Sequence, residues 1–202
     1  MINNNLEKIE LTVLVPAFNE QNNIAKTIDS IDQEIIKFIG VKKYEIIVIN
    51  DGSTDQTLTE IKTLSKTKNY IKIISFTRNF GKEIALTAGI KFSQGKAVII
   101  IDADGQHPVE LMKDFYNSWL KGYLVVVGIR KSNQNEGLIK KYGSKYFYQI
   151  LNKISKTKFI PGSSDYRLID RIVCQKFNKF EEHYHITRGF IYWTSFKADY
   201  IN

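Results

Sequence analysis

With 202 residues, 23.4 kDa and 43% hydrophobic content, the chain can build the core of one ordinary domain; three prolines and no low-complexity tract exclude long disordered linkers. Its one cysteine, Cys174, excludes an internal disulfide framework and suits a reducing cytoplasm, and no apolar stretch reaches the ~18 residues of a membrane span. The formal charge of +8 is segregated: residues 1–120 hold 14 Lys+Arg against 15 Asp+Glu, whereas residues 121–202 hold 15 against 6. The basic part therefore calls for an anionic counterpart, whether phosphates, a membrane surface or nucleic acid, unless it is only a solvated lysine surface. Met1-Ile-Asn-Asn-Asn lacks the basic-then-apolar order of a signal peptide.

Leu11–Val15 is an apolar run that meets Pro16, and Ile24, Ile28, Ile31 and Ile35 then recur at helical spacing. Tyr44–Ile49 reads as a second strand and Thr54–Leu64 as a helix. Tyr70–Phe76 is a third strand, and Lys82–Phe92 a helix with Ile84, Leu86 and Ile90 as its apolar positions. Ala97–Ile101 is a fourth strand, with the continuous apolar character of one buried on both faces. Pro108 stands where a first-turn proline belongs, ahead of Leu111, Met112, Phe115 and Trp119. Tyr123–Ile129 is a fifth strand. Four strand–helix alternations predict an α/β fold with a mostly parallel sheet flanked by helices.

Beyond Ile129 the pattern changes. Residues 137–155 read as a basic, aromatic helix with Leu138, Tyr142, Tyr146, Phe147, Ile150 and Leu151 among Lys140, Lys141, Lys145 and Lys153. Such a helix lies against an anionic membrane or packs on the core with a lysine face. Asp165–Ile169 and Phe190–Phe196 are expected as short strands completing a sheet.

Asp102-Ala103-Asp104 follows the fourth strand directly. Open α/β sheets bind ligands at the carboxyl ends of their strands, and two carboxylates there can converge on one hard cation whose open positions suit a diphosphate. Taken alone, the same residues are more simply a polar turn after a strand. The first strand runs into Pro16-Ala17-Phe18-Asn19-Glu20 and the second into Asn50-Asp51-Gly52-Ser53-Thr54-Asp55. An Asp at such a position can accept hydrogen bonds from a base or a ribose, and Gly52 allows close backbone approach. Taken singly, each loop is better explained as a cap or turn than as a ligand site. No G-x-G-x-x-G is present, and Lys82 lacks the G-x-x-x-x-G-K-[ST] frame of a P-loop. His107 reads as a helix-entry residue close to the acidic loop. His183 and His185 are two apart and read as surface residues. Trp119 and Trp193 read as core or interface anchors.

VPAFNE, NDGSTD and DADGQHP occur in the order and spacing of family 2 glycosyltransferases of the GT-A fold, which the chain resembles over about residues 10 to 198. Thr77-Arg78-Asn79-Phe80-Gly81-Lys82-Glu83, Gly162–Arg171 and Arg188-Gly189-Phe190 look like the polyprenyl-phosphate branch, which includes dolichol-phosphate mannosyltransferases and bactoprenol-phosphate glucosyltransferases. The NDGS and NFGKE forms are closer to the latter.

The resemblance implies one glycosyltransferase catalytic domain over residues 1–202, with a nucleotide-sugar-binding part in 1–129 and an acceptor-side part in 130–202, and it implies a site residue by residue. Pro16, Ala17, Asn19, Glu20, Asp51, Ser53, Arg78, Lys82, Asp102, Ala103 and Asp104 would hold the nucleotide-sugar. Asp102, Asp104 and Gln106 would hold Mg²⁺ or Mn²⁺. Asp165, Asp102 and Arg188 would be catalytic, and Arg130, Lys131, Lys140, Lys141 and Arg167 would meet the acceptor phosphate. The implied reaction is inverting transfer of a hexose from a nucleotide-sugar to a polyprenyl phosphate at the cytoplasmic membrane face, with glucose from UDP-glucose preferred and UDP favoured over GDP. A second reading is transfer to a saccharide hydroxyl in capsule or lipopolysaccharide synthesis. Nucleic-acid binding is disfavoured because no RRM, KH or helix-turn-helix signature is present. The oligomeric state stays open, a homo-oligomer included. Two departures stand out. Relatives in the branch commonly continue into two transmembrane helices, whereas this sequence ends at Asn202, so a missing C-terminal membrane region is expected. Asp104-Gly105-Gln106 replaces the commoner Asp-Leu-Gln, which leaves the metal loop one apolar anchor short.

Overall fold

The computed structural model describes residues 9–37, 41, 43–129, 162–179 and 196–201. The expected helix over 137–155 lies outside these residues, as do Trp193, His183 and His185.

Seven strands form one sheet in the order β3-β2-β1-β4-β6-β5-β7. They are β1 (Leu11–Ala17), β2 (Tyr44–Asn50), β3 (Ile71–Ser75), β4 (Ala97–Ile100), β5 (Val125–Ile129), β6 (Ser163–Asp170) and β7 (Ala198–Ile201). Only β6 runs against the rest: its pairings with β4 and β5 are antiparallel, and the β1–β2, β1–β4, β2–β3 and β5–β7 pairings are parallel. The expected α/β sheet is therefore present.

Among the described residues five helices cover its faces: α1 (Ile24–Ile36), α2 (Thr57–Thr67), α3 (Lys82–Phe92), α4 (Leu111–Leu120) and α5 (Arg171–Asn178). One core packs α1, α2 and α4 against the sheet through Ile24, Ile28, Ile31, Ile35, Ile61, Met112 and Phe115. The other packs α3 and α5 through Ala85, Leu86, Ile90, Val173, Cys174 and Phe177. The isoleucine stripe of α1 is at most 1% exposed, so each of its four side chains contributes about 1.5–3 kcal/mol of burial. Cys174 is buried in this second core, as a lone cysteine's usual role suggests.

Several boundaries differ from the sequence reading, each for a local reason. Strand β1 continues through Pro16 because its partners alternate. The Ala17 carbonyl accepts from Asp51 N on the β2 side, and the Leu14 carbonyl accepts from Ile101 N on the β4 side. Pro16 thus falls on the β4 side with no N–H to give, and the β1–β4 ladder ends at Leu14↔Ile100 while β1–β2 pairing runs on to Ala17↔Asn50. The sheet opens there, between the strand whose connection turns toward β2 and the strand whose connection turns the other way. Helix α2 starts at Thr57 rather than Thr54, because Asp55 Oδ1 accepts from Thr57 N at 3.0 Å and caps the first turn from outside. Helix α4 starts at Leu111, three residues after Pro108, which sits in the preceding turn. A strand runs over Ala198–Ile201; the expected strand Phe190–Phe196 lies outside the described residues except for Phe196, which is in no strand. Helix α5 was not expected; Asp170 caps it by accepting from Ile172 N.

A polar cluster ties α1 to the entry of β2 and β3. Asp32 accepts from Tyr44 Oη at 2.5 Å and from Lys68 Nζ at 3.2 Å, and Lys68 also reaches Asp29 at 2.7 Å. Burial would raise the Asp32 carboxyl, but hydrogen bonds from Tyr44, Tyr70 and Lys68 outweigh it and hold it below the usual carboxylate range. A depressed carboxylate stabilises the fold fully above its unfolded value of ~3.9, and that contribution is lost as pH falls through the lower folded value. Asp32→Asn should therefore cost about 1–3 kcal/mol at neutral pH and flatten the fall in stability below pH 4. Urea unfolding at several pH values measures both, and a wild-type acid profile in the variant would contradict this.

Candidate active site

The opening between β1 and β4 carries a cavity of about 310 Å³ lined by Pro16, Ala17, Phe18, Glu20, Asp51, Asn79, Gly81, Lys82, Ala85, Asp102, Ala103 and Asp104. Strand order reverses its direction of growth at this place, where α/β sheets hold their ligands. A second cavity of about 460 Å³ lies on the α1–α4 side and shares Asp102 and Asp104 with the first.

Three loops build the floor by binding each other. Asn19, in the left-handed region at φ 57°, gives its N–H to Ser53 Oγ at 3.0 Å and accepts from Thr54 N at 2.8 Å. Glu20 N donates to Thr57 Oγ1 and Gln21 N to Asp55 Oδ2. The loops after β1 and β2 are thus stitched together. Asp51, only 4% exposed, accepts from Phe80 N at 2.8 Å and from Gly81 N at 2.9 Å. It anchors the loop that leads into α3. Gly52 sits at φ +66°, with the Arg78 backbone where a Cβ would go. Only glycine fits both demands.

The antiparallel strand brings in the fourth wall. In the β4–β6 ladder Ile100 stands opposite Arg167. Two residues on from Ile100 and two back from Arg167 are Asp102 and Asp165, 63 positions apart in sequence. Lys82, the first residue of α3, joins them: its Nζ is 2.5 Å from Asp102 Oδ1 and 3.0 Å from Asp165 Oδ2. The remaining oxygens are also met. Arg167 Nη2 lies 3.1 Å from Asp165 Oδ1, and His107 Nε2 lies 3.3 Å from Asp102 Oδ2. The result is a connected row, Arg167–Asp165–Lys82–Asp102–His107. Burial would raise the Asp102 carboxyl; the hydrogen bonds from His107 and Lys82 and the Lys82 charge outweigh it and keep it below the ordinary carboxylate range.

The expected residues therefore divide. Pro16, Ala17, Glu20, Asp51, Lys82, Asp102, Ala103 and Asp104 line the first cavity, with Asp165 across from Asp102. Asn19 and Ser53 lie in the loop stitching rather than in the lining. Arg78 stacks over the Phe80 ring at 4.7 Å. Gln106 is exposed, and the structure gives it a backbone contact, N–H to Asp104 Oδ1 at 3.0 Å. Arg167 is placed otherwise than an acceptor-phosphate ligand requires: it is 3% exposed and its guanidinium also donates to the Ser164 and Asp165 carbonyls. It acts on Asp165. Arg130, Lys131, Lys140, Lys141 and Arg188 lie outside the described residues. Sequence reasoning missed the link between His107 and Asp102, because the fold of the Asp104-Gly105-Gln106 turn, with Gly105 at φ 70°, is what returns His107 to the strand end. It also gave no role to Phe18 and Asn79, although both stand inside motifs already singled out.

Among the described residues no group of three or more His, Cys, Asp or Glu side chains is assembled for a metal. Asp102 and Asp104 supply two hard carboxylates that border the same two cavities. That donor set fits a divalent cation which takes its other ligands from a diphosphate and water.

A mostly parallel sheet with acidic loops at this opening is the GT-A architecture of nucleotide-sugar transferases. The chain belongs to glycosyl transferase family 2, whose family model matches residues 12–177. An uncharacterized glycosyltransferase of Synechocystis is 36% identical over 193 residues, covering 96% of this chain and 60% of that protein. The prophage bactoprenol glucosyl transferase homolog of Escherichia coli is 33% identical over 195 residues, covering 96% of this chain and 62% of that one. The chain thus spans about three-fifths of the length of these relatives. Among solved structures, glucosyl-3-phosphoglycerate synthase from Mycobacterium tuberculosis with Mn²⁺, UDP-glucose and phosphoglyceric acid has a TM-score of 0.67 at 21% identity, over 96% of this chain and 69% of that one. Mannosyltransferase PcManGT from Pyrobaculum calidifontis, with GDP-Man and Mn²⁺, has a TM-score of 0.64 at 20% identity, over 96% and 55%. These likenesses establish the fold.

Asp51→Ala should leave two backbone N–H groups unpaired and cost about 2–3 kcal/mol, lowering Tm by roughly 5 °C or more for a chain of this size. Calorimetry without any ligand checks it; an unchanged Tm would mean that Asp51 does not anchor the α3 loop.

Proposed function

We propose that this chain transfers a hexose, glucose from UDP-glucose, to a polyprenyl phosphate of the undecaprenyl or dolichyl type. The reaction is a single inverting displacement with Mg²⁺ or Mn²⁺, at the cytoplasmic face of the cell membrane. The observation that carries this reading is the meeting of Asp165 with Asp102 at the rim of the cavity between β1 and β4. It is supported by bactoprenol glucosyl transferases of Shigella phages, 33% identical over 195 residues, and by neighbours of the same fold holding UDP or UDP-sugars.

In this reading the cavity between Phe18 and Asp51 takes the nucleoside, and the diphosphate extends toward Lys82, Asp102 and Asp104. A phosphate monoester has a second pKa of about 6, so the acceptor oxygen is already a nucleophile at neutral pH. It attacks the anomeric carbon as the bond to the diphosphate breaks, and the electron pair leaves with the nucleoside diphosphate. No proton has to be removed. That agrees with Asp165, whose two oxygens are already held by Arg167 and Lys82: it orients and balances charge. A divalent cation on Asp104 and Asp102 would, when bound, offset the charge growing on the leaving group. Arg188 would add a second positive charge there, and Arg130, Lys131, Lys140 and Lys141 would receive the lipid phosphate. Each basic residue near an anionic leaflet contributes roughly 1 kcal/mol of attraction. Among the described residues no helix is long and apolar enough to cross a membrane, so attraction of this kind is one means of holding this part of the protein to the lipid.

The test supplies UDP-glucose and Mn²⁺ with either undecaprenyl phosphate in vesicles or a panel of saccharides, and follows product by mass spectrometry and anomeric NMR. Glucosyl-phosphoryl lipid of inverted configuration is expected, and Asp165→Asn should lower turnover about 10²-fold or more while UDP still binds. Product on saccharides alone would replace the lipid reading with the hydroxyl-acceptor one. A trapped glycosyl-enzyme adduct would overturn the single displacement.

A further inference from the structure

Lys82 is placed where an external cation would go. Its ammonium sits between Asp102 and Asp165, closer to Asp102 Oδ1 (2.5 Å) than to Asp165 Oδ2 (3.0 Å). It enters from the first turn of α3, and it also borders the cavity assigned to the donor, together with Asp102 and Asp104. The Lys82 side chain is about one-third exposed, so it is neither locked in the core nor lost to solvent. Asp102 and Asp165 are both only partly exposed, at 25% and 19%. Two such carboxylates held this near each other need a positive charge between them.

We infer that Lys82 is an internal counter-cation: it holds Asp102 and Asp165 together before the donor arrives, and yields Asp102 to the divalent cation when a diphosphate offers the ammonium a new partner. This rests on the proposed use of the cavity for a nucleotide diphosphate with a metal. The physical argument is competition. A divalent cation approaching Asp102 on its own must compete with the Lys82 ammonium for the same carboxylate, and the displaced ammonium would keep only Asp165 as an anionic partner. A diphosphate in the cavity that Lys82 borders would offer the ammonium an anionic partner in exchange for Asp102, which lowers the cost of leaving it. Metal and nucleotide then bind as a linked pair. Metal alone binds poorly, which keeps the site from filling with a cation that no substrate has brought.

The linkage is measurable without turnover. Mn²⁺ binding is followed by electron paramagnetic resonance of the free ion, alone and with saturating UDP, and UDP binding is measured by calorimetry with and without Mn²⁺. In the wild type UDP should tighten Mn²⁺ by tenfold or more, within the usual range of ~5–150-fold for coupled sites. Lys82→Met removes the charge and keeps the length; it should bind Mn²⁺ alone several-fold more tightly than wild type, bind metal-free UDP more weakly, and lose most of the coupling. Lys82→Arg, which keeps a cation there, should stay coupled. Lys82→Gln replaces the Met variant if that one fails to fold. If wild type takes up UDP and Mn²⁺ together while the neutral variants bind Mn²⁺ alone no more tightly, the exchange is wrong and the donor reading stands. If wild type binds neither UDP nor Mn²⁺, singly or together, the donor reading fails and takes the exchange with it.

Discussion

The ion pairs of Lys82 with Asp102 and Asp165 are the contact on which the candidate site depends. Three elements distant in sequence meet there: the first turn of α3, the end of β4 and the start of β6. Without a positive charge between them, two partly buried carboxylates would repel each other at the one place where the sheet is open. Arg167 adds a second positive charge beside Asp165, and the His107 ring meets the other oxygen of Asp102. The site is therefore held by charge order, while the two apolar cores hold the sheet beneath it.

The opening itself has a covalent cause. Pro16 carries no N–H toward β4, so pairing between β1 and β4 stops at Leu14 and the acidic loop after β4 diverges from its neighbour. Parallel strands aim their carboxyl ends to one side. The reversed strand, β6, then delivers its beginning to that same side, which is how Asp165 joins residues from the first half of the chain. A parallel β6 would have sent Asp165 to the opposite edge of the sheet.

Much of this was legible in the sequence. The runs Leu11–Val15, Tyr44–Ile49 and Ala97–Ile101 and the 24/28/31/35 isoleucines dictate an α/β sheet, because buried parallel strands and an amphipathic helix admit few other readings. Asp51, Asp102 and Asp104 were placed at strand ends by the same logic. What could not be read was which polar groups serve the fold. Asn19 and Ser53 spend their hydrogen bonds on one another's loops, and Arg167 spends its guanidinium on Asp165. Motif spacing gives a residue's neighbourhood along the chain; these partners are 34 positions away in one case and two positions away on a turned strand in the other. The Lys82 bridge depends on the direction of β6, a long-range property that no local pattern encodes. The boundaries of α2 and α4 moved for a related reason: Asp55 and Pro108 act as caps and turns ahead of the helix rather than within it.

The most direct check on the central claim is a double-mutant cycle between Asp102→Asn and Asp165→Asn, read as urea unfolding free energies at neutral pH without ligands. If the two carboxylates share Lys82, removing either leaves the ammonium one partner and relieves their mutual repulsion, whereas removing both leaves it none. The double variant should then lose more stability than the two single losses combined, by upwards of about 0.5 kcal/mol. Additivity within about 0.3 kcal/mol would mean that Asp102 and Asp165 do not form one site.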